Sequence, residues 1–403
     1  MSGAPVPAAI PPGRPARFIG SERYRRRAYA ANHPLAIPRV ALARDLIEAY
    51  GAITPGETVP ARKAADFELE WFHERRYVAA IKRAEQLGRV RQEHREAFAL
   101  GTLENPYFDH FFTTPATAAG ASIQAAEEVL AGRVAFNPAG GMHHARPGRA
   151  QGFCYFNDPA LAVLRLRRAG WRVLYVDIDA HHCDGVEEAF RDDPEALTLS
   201  LHMDTAYAYP GRGGRLEDVG SAAGGHTTVN VPLPRALTDA EYRLVFDAVW
   251  PAALARFRPD AIVLQAGTDM LAGDPLGKWR CTTQTFLAAC ARIVESAPRH
   301  ADGTPRVLAT GGGGYHPLLV ARAWAGLWGI LSGRTLPEAL PAAGADLLRG
   351  VDWDHDEDDA AFRLALLAAR VEPATTETVR DEVRALAARA QAHPLLAAAA
   401  LSA

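Results

Sequence analysis

The feature that most constrains this sequence is the position of its polar clusters, because four of them follow directly on short apolar segments. The apolar segments end near residues 137, 176, 264 and 309, and the clusters occupy residues 140–144, 177–184, 265–269 and 311–316. In open α/β sheets, ligands bind beyond the carboxyl ends of the strands. If the segments are strands of one sheet, the four clusters meet at a single site.

The apolar segments also indicate the fold class. Six of them are short and rich in Val, Leu and Ile without regular polar alternation, as expected for parallel strands buried on both faces. They cover residues 134–137, 173–179, 196–201, 227–231, 261–264 and 307–309. Helical patterns lie between them, one over residues 116–130 and others starting at Asp158 as a cap, at Thr238 and at Pro317. The alternation predicts an α/β fold, a three-layer α-β-α sandwich around a mainly parallel sheet.

Composition narrows the range of partners and compartments. The 403 residues carry 44 Lys and Arg against 47 Asp and Glu, a formal net charge of −3, so the chain lacks the basic excess that nucleic-acid binding requires. Its four cysteines form no Cys-x-x-Cys pair, which argues against disulfides and a cysteine-bound zinc. No apolar segment is long enough to cross a membrane. We therefore expect a cytoplasmic protein without direct nucleic-acid or membrane partners, while an oligomer stays open.

The chain divides into three predicted regions. Residues 1–17 are rich in Pro and Ala and are expected to be a disordered tail. Residues 18–334 are expected to form one catalytic domain, because side chains from His143 to Tyr315 must reach one site. Residues 335–403 carry an acidic run and Ala-rich segments with helical spacing, and are expected to form a helical extension.

The cluster at residues 177–184 has the spacing of a metal site. Asp177, Asp179 and His181 are two residues apart, so their side chains can converge on one side as the strand ends. Buried carboxylates need a positively charged partner, and a divalent cation can supply that charge. The alternative is that these residues form a turn stabilised by salt bridges. Asp269 could cap the next helix, or it could complete an Asp/His/Asp set with an open position. Such a set is typical of catalytic zinc, and ferrous iron suits the same ligands.

Two further clusters offer acid–base chemistry. His143 and His144 follow two glycines, which let the backbone turn so that both imidazoles can line a pocket as a general acid/base pair. Tyr315 follows four glycines and could donate its hydroxyl to a developing oxyanion. Surface histidines and a packed aromatic ring are the alternatives. The sequence has neither Gly-x-Ser-x-Gly nor His-Glu-x-x-His, so a serine hydrolase and a zincin protease are set aside.

Together the clusters resemble those of the histone deacetylase superfamily, zinc-dependent enzymes of the arginase/deacetylase fold. The similarity covers roughly residues 18–331 and consists of five linked motifs in the family's order. The motifs are Gly-Gly-Met-His143-His144, Gly152-Phe153-Cys-Tyr-Phe-Asn157-Asp158, Tyr175-Val-Asp177-Ile-Asp179-Ala-His181-His182, Leu264-Gln-Ala-Gly-Thr-Asp269 and Gly-Gly-Gly-Gly-Tyr315. Residues 33–39 and 322–328 are most similar to the bacterial acetoin-utilisation-type deacetylases, which resemble class I enzymes.

The resemblance implies a catalytic centre of eight residues. The zinc ligands that it implies are Asp179, His181 and Asp269. The catalytic residues that it implies are His143 and His144 as the acid/base pair, Asp177 and Asp184 as the carboxylates that orient them, and Tyr315 as the oxyanion donor.

The resemblance also implies a narrow tunnel for an acyl-lysine side chain. The substrate contacts that it implies are the tunnel walls Phe153 and Tyr209, the rim acid Glu104, and Gly313 of the glycine loop. Arg39 would lie beneath the site, near that loop. A structural potassium ion is expected near Asp177, Asp179, His181, Ser200 and Leu201. The chain departs from the family pattern at Cys183, where glycine is usual, and at Tyr209, where phenylalanine is common, and the second departure bears on acyl preference.

We therefore expect a zinc-dependent amidohydrolase that removes acetyl or short acyl groups from acylated lysine, in a protein or peptide, or from a related amine, with release of acetate. The first alternative is a deacetylase of acetylpolyamines or other small amides. A binuclear manganese ureohydrolase is a second, but it needs two ligand sets where one is found in the sequence. A non-catalytic acyl-lysine-binding scaffold is a third.

Overall fold

The described residues form one sheet of eight parallel strands. The computed structural model describes residues 9–26, 29–30, 33–222, 225–352, 360–372 and 378–397. The strands are β1 (Ala16–Gly20), β2 (Thr58–Pro60), β3 (Val134–Asn137), β4 (Val173–Asp177), β5 (Ala196–Met203), β6 (Thr228–Leu233), β7 (Ala261–Gln265) and β8 (Val307–Thr310). Their order is β2-β1-β3-β8-β7-β4-β5-β6, and each neighbouring pair is parallel. The predicted α/β class is confirmed.

Helices connect the strands and continue beyond the last one. In the first half of the chain they are α1 (Arg39–Ala49), α2 (Asp66–Leu69), α3 (Arg75–Leu87), α4 (Gln92–Phe98), α5 (Thr113–Leu130), α6 (Asp158–Arg167) and α7 (Asp184–Phe190). In the second half they are α8 (Asp239–Phe257), α9 (Thr283–Ser296), α10 (Pro317–Ser332), α11 (Ala342–Arg349), α12 (Ala360–Ala368), α13 (Asp381–Gln391) and α14 (Pro394–Ala397).

Successive residues of β4 enter different layers of the core. Leu174 and Val176 belong to the cluster on one face of the sheet, with side chains of α8 and α10. Val173 and Tyr175 belong to the cluster on the other face, with side chains of α5 and α6. All four side chains are buried, as expected for a strand covered on both sides. The protein is therefore the predicted three-layer sandwich.

Most predicted elements are present, with small shifts at their ends. All six predicted strands exist, and none of their ends moves by more than two residues. The capping box at Thr238 and the helix start at Pro317 are also confirmed. The prediction that Asp158 caps α6 is wrong, because the side chain of Asn157 accepts the N–H of Ala160. The Asp158 carboxylate instead accepts N–H groups from the loop after β3.

The predicted boundary between the N-terminal tail and the domain is too late. Strand β1 begins at Ala16 and lies between β2 and β3, so its backbone groups find partners on both sides. Upstream of it, Ile10 donates its N–H to Gly51 and Gly13 donates its N–H to Ser332, both at 2.9 Å. Residues 9–17 are therefore attached to the domain, and residues 1–8 lie outside the described part.

The described residues after 335 form four helices that pack on the domain. Helix α11 packs on α1, and α13 and α14 pack on α8. Arg380 donates to both carboxylate oxygens of the buried Glu241 at 2.7 Å, which anchors the start of α13. The acidic run at residues 353–359 lies outside the described residues. Within the described part, none of the helices is long and apolar enough to cross a membrane.

Candidate active site

The carboxyl ends of four adjacent strands bring the polar clusters to one edge of the sheet. Asp177, the last residue of β4, is the register partner of Gln265, the last residue of β7. Gln265 in turn is paired with Thr310 at the end of β8, and Thr310 with Asn137 at the end of β3. The loops that follow these strands therefore share one space, as the sequence predicts.

Asp179, His181 and Asp269 converge beyond the ends of β4 and β7. Nδ1 of His181 lies 3.1 Å from Oδ1 of Asp179 and 2.9 Å from Oδ2 of Asp269. Each residue offers one ligand atom within 4.8 Å of the other two, and all three residues are buried. Two carboxylates and an imidazole at this spacing fit a divalent cation, which would balance their buried negative charge.

Neighbouring hydrogen bonds hold these carboxylates in place. Oδ2 of Asp179 accepts from Nε2 of Gln265 at 2.8 Å and from the N–H of Gly313 at 2.6 Å. Oδ1 of Asp269 accepts from the N–H of Ala180 at 2.8 Å. Gly313, predicted to contact substrate, thus supports Asp179 with its backbone. The role of Gln265 was not predicted, because its contact with Asp179 arises only once β7 and β4 are adjacent.

His143 and His144 form a pair whose outer nitrogens face different carboxylates. Nδ1 of His143 lies 2.8 Å from Oδ2 of Asp177, and Nδ1 of His144 lies 2.7 Å from Oδ1 of Asp184. The two Nε2 atoms are 3.1 Å apart. Since each Nδ1–H donates to its carboxylate, the contact between the Nε2 atoms requires one of them to carry a proton and the other to accept it.

The surroundings make the two histidines electrostatically different. Burial alone would lower the pKa of His143, but the carboxylates of Asp177 and Asp179 raise that pKa to about 9. Burial and the neighbouring His143 together lower the pKa of His144 to about 4, against the opposing effect of Asp184. These shifts favour the shared proton on His143 and the neutral form of His144.

Asp184 accepts hydrogen bonds from two residues that were not predicted. Arg146 donates to its Oδ2 at 2.8 Å, and the side-chain amide of Gln151 donates to the same oxygen. Burial raises the pKa of Asp184, but His144 and Arg146 outweigh it and lower the pKa well below its usual value. Nothing in the local sequence marks this link, because Arg146 lies 38 residues before Asp184.

A small cavity opens beside the histidine pair. It has a volume of about 20 Å³, and its lining includes both histidines, Asp179, Phe153 and Tyr315. A larger cavity of about 540 Å³ shares part of this lining. The backbone N–H of Tyr315 donates to Asp274 at 2.7 Å. Asp179, both histidines and Tyr315 therefore line one cavity, and the other two predicted ligands cluster with Asp179.

Phe153 adopts an unusual backbone conformation at this cavity. Its φ of 65° lies in the left-handed region, which non-glycine residues rarely occupy. The conformation is fixed by the side chain of Asn105, which accepts the N–H of Phe153 at 3.1 Å. The ring then lies edge-on to that of Tyr315, with centroids 6.4 Å apart. Strain of this kind is typical of functional sites.

Tyr209 and Glu104, the other predicted substrate contacts, are joined to each other. The Tyr209 hydroxyl donates to Oε1 of Glu104 at 2.5 Å, and the same oxygen accepts the N–H of Gly152 at 2.8 Å. The Tyr209 ring lies edge-on to His144 at 4.8 Å. The hydroxyl that distinguishes this tyrosine from phenylalanine therefore links the loop of residue 209 to the loop of residue 104.

Arg39 lies beneath the glycine loop, as predicted. Its Nη1 donates to the carbonyl oxygens of Gly312 and Gly314 at 2.7 and 2.9 Å. Its guanidinium also lies 5.5 Å from the ring centroid of Trp324, within range of a cation–π interaction. Arg39 thus ties the start of α1 to the loop that carries Tyr315.

A second group of potential ligands changes one expectation. His143, Asp177 and Asp179 also cluster, so the described residues contain two overlapping groups that share Asp179, where one was expected. The overlap is invisible in the sequence because His143 comes from a different strand end. Ser200, a predicted neighbour of potassium, is the register partner of Asp177 on β5.

Comparison with known proteins agrees with this architecture. A family model described as a histone deacetylase domain matches residues 33–331. The acetoin utilization protein AcuC of Bacillus subtilis is 35% identical over 334 residues, which cover 79% of this chain and 84% of that protein. Histone deacetylase 8 of Xenopus tropicalis is 36% identical over 75% of this chain and 80% of its own length.

Solved structures of histone deacetylase homologues have the same fold as this chain. The crystal structure of a histone deacetylase homologue from Aquifex aeolicus superposes with a TM-score of 0.87 at 38% identity, covering 94% of this chain and all of that one. A homologue crystallised with the compound SAHA gives a TM-score of 0.88 at 39% identity. The match to the family model, the relatives and the shared fold establish that this chain belongs to the histone deacetylase family and is a deacetylase.

Proposed function

We propose that this protein removes acetyl or short acyl groups from acylated lysine side chains by metal-dependent hydrolysis. The observation that carries the proposal is that Asp179, the histidine pair and Tyr315 line one cavity, and that Asp179 clusters with His181 and Asp269. These are the components that amide hydrolysis needs: a cation site, a proton-transfer pair and a hydrogen-bond donor for the oxyanion.

The proposed metal ligands are Asp179, His181 and Asp269, and zinc is the proposed ion, with ferrous iron as the alternative. When bound, such an ion acts as a Lewis acid towards the acyl carbonyl and lowers the pKa of the attacking water. Three protein ligands would leave an open coordination position on a bound ion, which a catalytic ion requires. A single ion is favoured over two because both nitrogens of His143 are already engaged, by Asp177 and by His144.

The proposed proton path runs through the histidine pair. His144, whose pKa is lowered, accepts the proton of the attacking water. His143 holds a proton beside it that can be returned to the leaving amine, and Asp177 stabilises its charge. Asp184 keeps the His144 ring oriented, with its Nδ1 in the protonated form. Such positioned acid–base groups contribute about a hundredfold to ten-thousandfold in rate.

Tyr315 is proposed to donate its hydroxyl to the oxyanion that develops on the acyl carbon. Its ring lies beside Phe153 at the cavity, and its backbone is fixed by Asp274. Burial keeps the pKa of Tyr315 well above its ordinary value, so the hydroxyl retains its proton at neutral pH. A donor held in place before the reaction needs no reorganisation as charge develops.

The aromatic walls of the site suit a substrate with a linear alkyl chain, such as acylated lysine. Phe153 and Tyr209 flank the acid/base residues, and a linear alkyl chain between aromatic rings is the geometry that a lysine side chain supplies. Glu104, which accepts the hydroxyl of Tyr209, is proposed to contact the part of the substrate that lies outside the tunnel. The backbone of Gly313 is proposed to contact the substrate at the base of the tunnel. Acetylpolyamines remain the alternative, since they carry a similar alkyl chain.

Three further properties belong to the same proposal. Potassium is proposed to bind beside Asp177 and Ser200, whose pairing joins β4 to β5 close to the ligand cluster. A cytoplasmic location is proposed because the four cysteines are buried and form no disulfide. A protein or peptide carrying acylated lysine is the proposed partner.

The proposal is tested by a substrate panel with metal analysis. The metal-loaded enzyme is assayed for acetate release from acetyl-lysine peptides, longer acyl-lysine peptides and acetylpolyamines, with and without a chelator. We expect chelator-sensitive release from acetyl-lysine peptides and one zinc or iron per chain. Preferential turnover of acetylpolyamines would select the alternative substrate. Two manganese ions with urea release, or peptide binding without acetate release, would contradict the proposal.

A further inference from the structure

Phe362, in the C-terminal extension, packs on a loop of the active site. Its ring lies edge-on to that of His316, with centroids 5.9 Å apart and an interplanar angle of 81°. Its Cζ atom lies 2.6 Å from the position that a Cβ on Gly273 would occupy, so the ring fills the space that this glycine leaves. Gly273 also has a φ of 93°, which a side chain would strain. Phe362 therefore contacts residues that follow Asp269 and Tyr315 in the chain.

The two loops beneath Phe362 are bonded to each other. The N–H of Thr268 donates to the carbonyl of Gly313 at 2.9 Å, and the N–H of Tyr315 donates to Asp274 at 2.7 Å. The other oxygen of Asp274 accepts the N–H groups of Leu276 and Gly277 at 3.0 Å. The loop at residues 269–277 therefore fixes the position of the Tyr315 backbone.

The segment that carries Phe362 is itself fastened to the domain core. Arg322, fully buried on α10, donates through Nε to the carbonyl of Ala369 at 2.8 Å and forms an ion pair with Glu372. The N–H of Arg370 donates to the carbonyl of Glu338 at 2.7 Å. Leu366 on α12 is fully buried in the core. The segment that carries Phe362 is therefore held against the domain core by these contacts.

We infer that Phe362 is a positioning residue for the catalytic centre and that the C-terminal extension serves catalysis through it. Phe362 is not among the residues that line the small cavity, so it acts through Gly273 and His316. By restricting the movement of Gly273 and His316, Phe362 keeps the Asp274 loop and Tyr315 in a fixed position relative to each other. Small displacements of reacting groups can cost about a hundredfold in rate, which makes such a brace consequential.

The test compares substitutions at two positions of one helix in the full-length, metal-loaded protein. Phe362→Ala should lower kcat for an acetyl-lysine peptide about tenfold, with KM and metal content changed less than twofold, and Phe362→Leu should recover most of the loss. Leu364→Ala is the control, because Leu364 is 67% exposed on the same helix, and it should leave kcat unchanged.

Hydrogen exchange supplies a readout that needs no turnover. In Phe362→Ala, amides of residues 313–316 should exchange several-fold faster than in the wild type, because the bond from Tyr315 to Asp274 opens more often. Leu364→Ala should show wild-type exchange there. The inference is overturned if Phe362→Ala keeps wild-type kcat and wild-type exchange at residues 313–316 while only its melting temperature falls. Because exchange is measured without substrate, failure of the proposed function and failure of this inference are distinguishable.

Discussion

Nε2 of His143 lies 3.1 Å from Nε2 of His144, and a separate carboxylate holds the far side of each ring. This contact couples the two imidazoles, because a proton on one nitrogen is the hydrogen-bond donor to the other. The pKa of His143 is raised to about 9 and that of His144 is lowered to about 4, so over the neutral range the pair carries one proton beyond the two on the Nδ1 atoms. We therefore expect the two residues to act as one unit in catalysis.

A double-mutant cycle tests this coupling. His143→Ala and His144→Ala should each lower kcat by at least about a hundredfold, since each removes half of the proton path. The double variant should be no more than about tenfold slower than the worse single variant, because groups that act as a unit are not additive. Initial rates on an acetyl-lysine peptide measure the cycle. Multiplicative losses in the double variant would show two independent residues.

Metal removal should change stability as well as activity. Asp179 and Asp269 face each other across His181 in a buried cluster, so a cation that binds only the folded state stabilises it. Free ion at a hundred times its Kd would add about 2.7 kcal/mol to the free energy of unfolding. Chelation should therefore lower the melting temperature, and added zinc should restore it.

Two variants test whether the metal-dependent stabilisation arises at the proposed ligands. Asp269→Asn should lose most of the difference in melting temperature between zinc-loaded and chelated protein. Asp381→Asn is the matched control, because its carboxylate is exposed on α13 and should leave the difference intact. Equal zinc-dependent shifts in both variants would place the ion elsewhere.

His73 should make the fold sensitive to acid. Its Nδ1 faces the carbonyls of Arg146 and Pro147, and its Nε2 accepts the N–H of Asn157 at 2.9 Å, so the ring is held neutral. Burial lowers its pKa from 6.5 to about 4. Between these values the unfolded chain binds a proton that the folded chain does not, so the free energy of unfolding falls as pH falls.

The size of the His73 effect is measurable by denaturation. From pH 7 to pH 4.5 this residue should remove about 2–3 kcal/mol of stability, estimated from the pKa difference. His73→Gln keeps hydrogen-bonding groups but cannot titrate, and it should lose less stability than the wild type over this range. Urea unfolding at both pH values gives the comparison. Parallel losses in the two proteins would mean that His73 does not titrate as described.

The parts of the site with local spacing were predictable from the sequence. Asp177, Asp179 and His181 alternate along one strand end, and the strand itself is a plain apolar segment. Both patterns are visible within a few consecutive residues, so predicting them requires no knowledge of distant contacts. The hydrogen bond from Tyr209 to Glu104 joins residues 105 positions apart, and no local pattern signals it. The same limit applies to Gln265, whose contact with Asp179 arises only once β7 and β4 are adjacent.

The N-terminal strand shows how tertiary context overrides composition. Residues 1–17 are rich in Pro and Ala, which suggested a tail, yet Ala16 and Arg17 belong to β1. Phe18 is paired with Phe136 on β3 and packs edge-on against its ring at 5.7 Å. That contact spans more than a hundred residues, so a five-residue strand beside a proline-rich segment gave no periodic signal.

The most direct test of the account is the acetate-release rate of Tyr315→Phe, measured together with its metal content. This change removes one hydroxyl at the cavity and leaves Asp179, His181 and Asp269 untouched. Loss of one oxyanion donor costs about a hundredfold to a thousandfold in rate. We expect kcat on an acetyl-lysine peptide to fall by that factor while one metal ion per chain stays bound. Wild-type turnover by this variant would contradict the proposed mechanism.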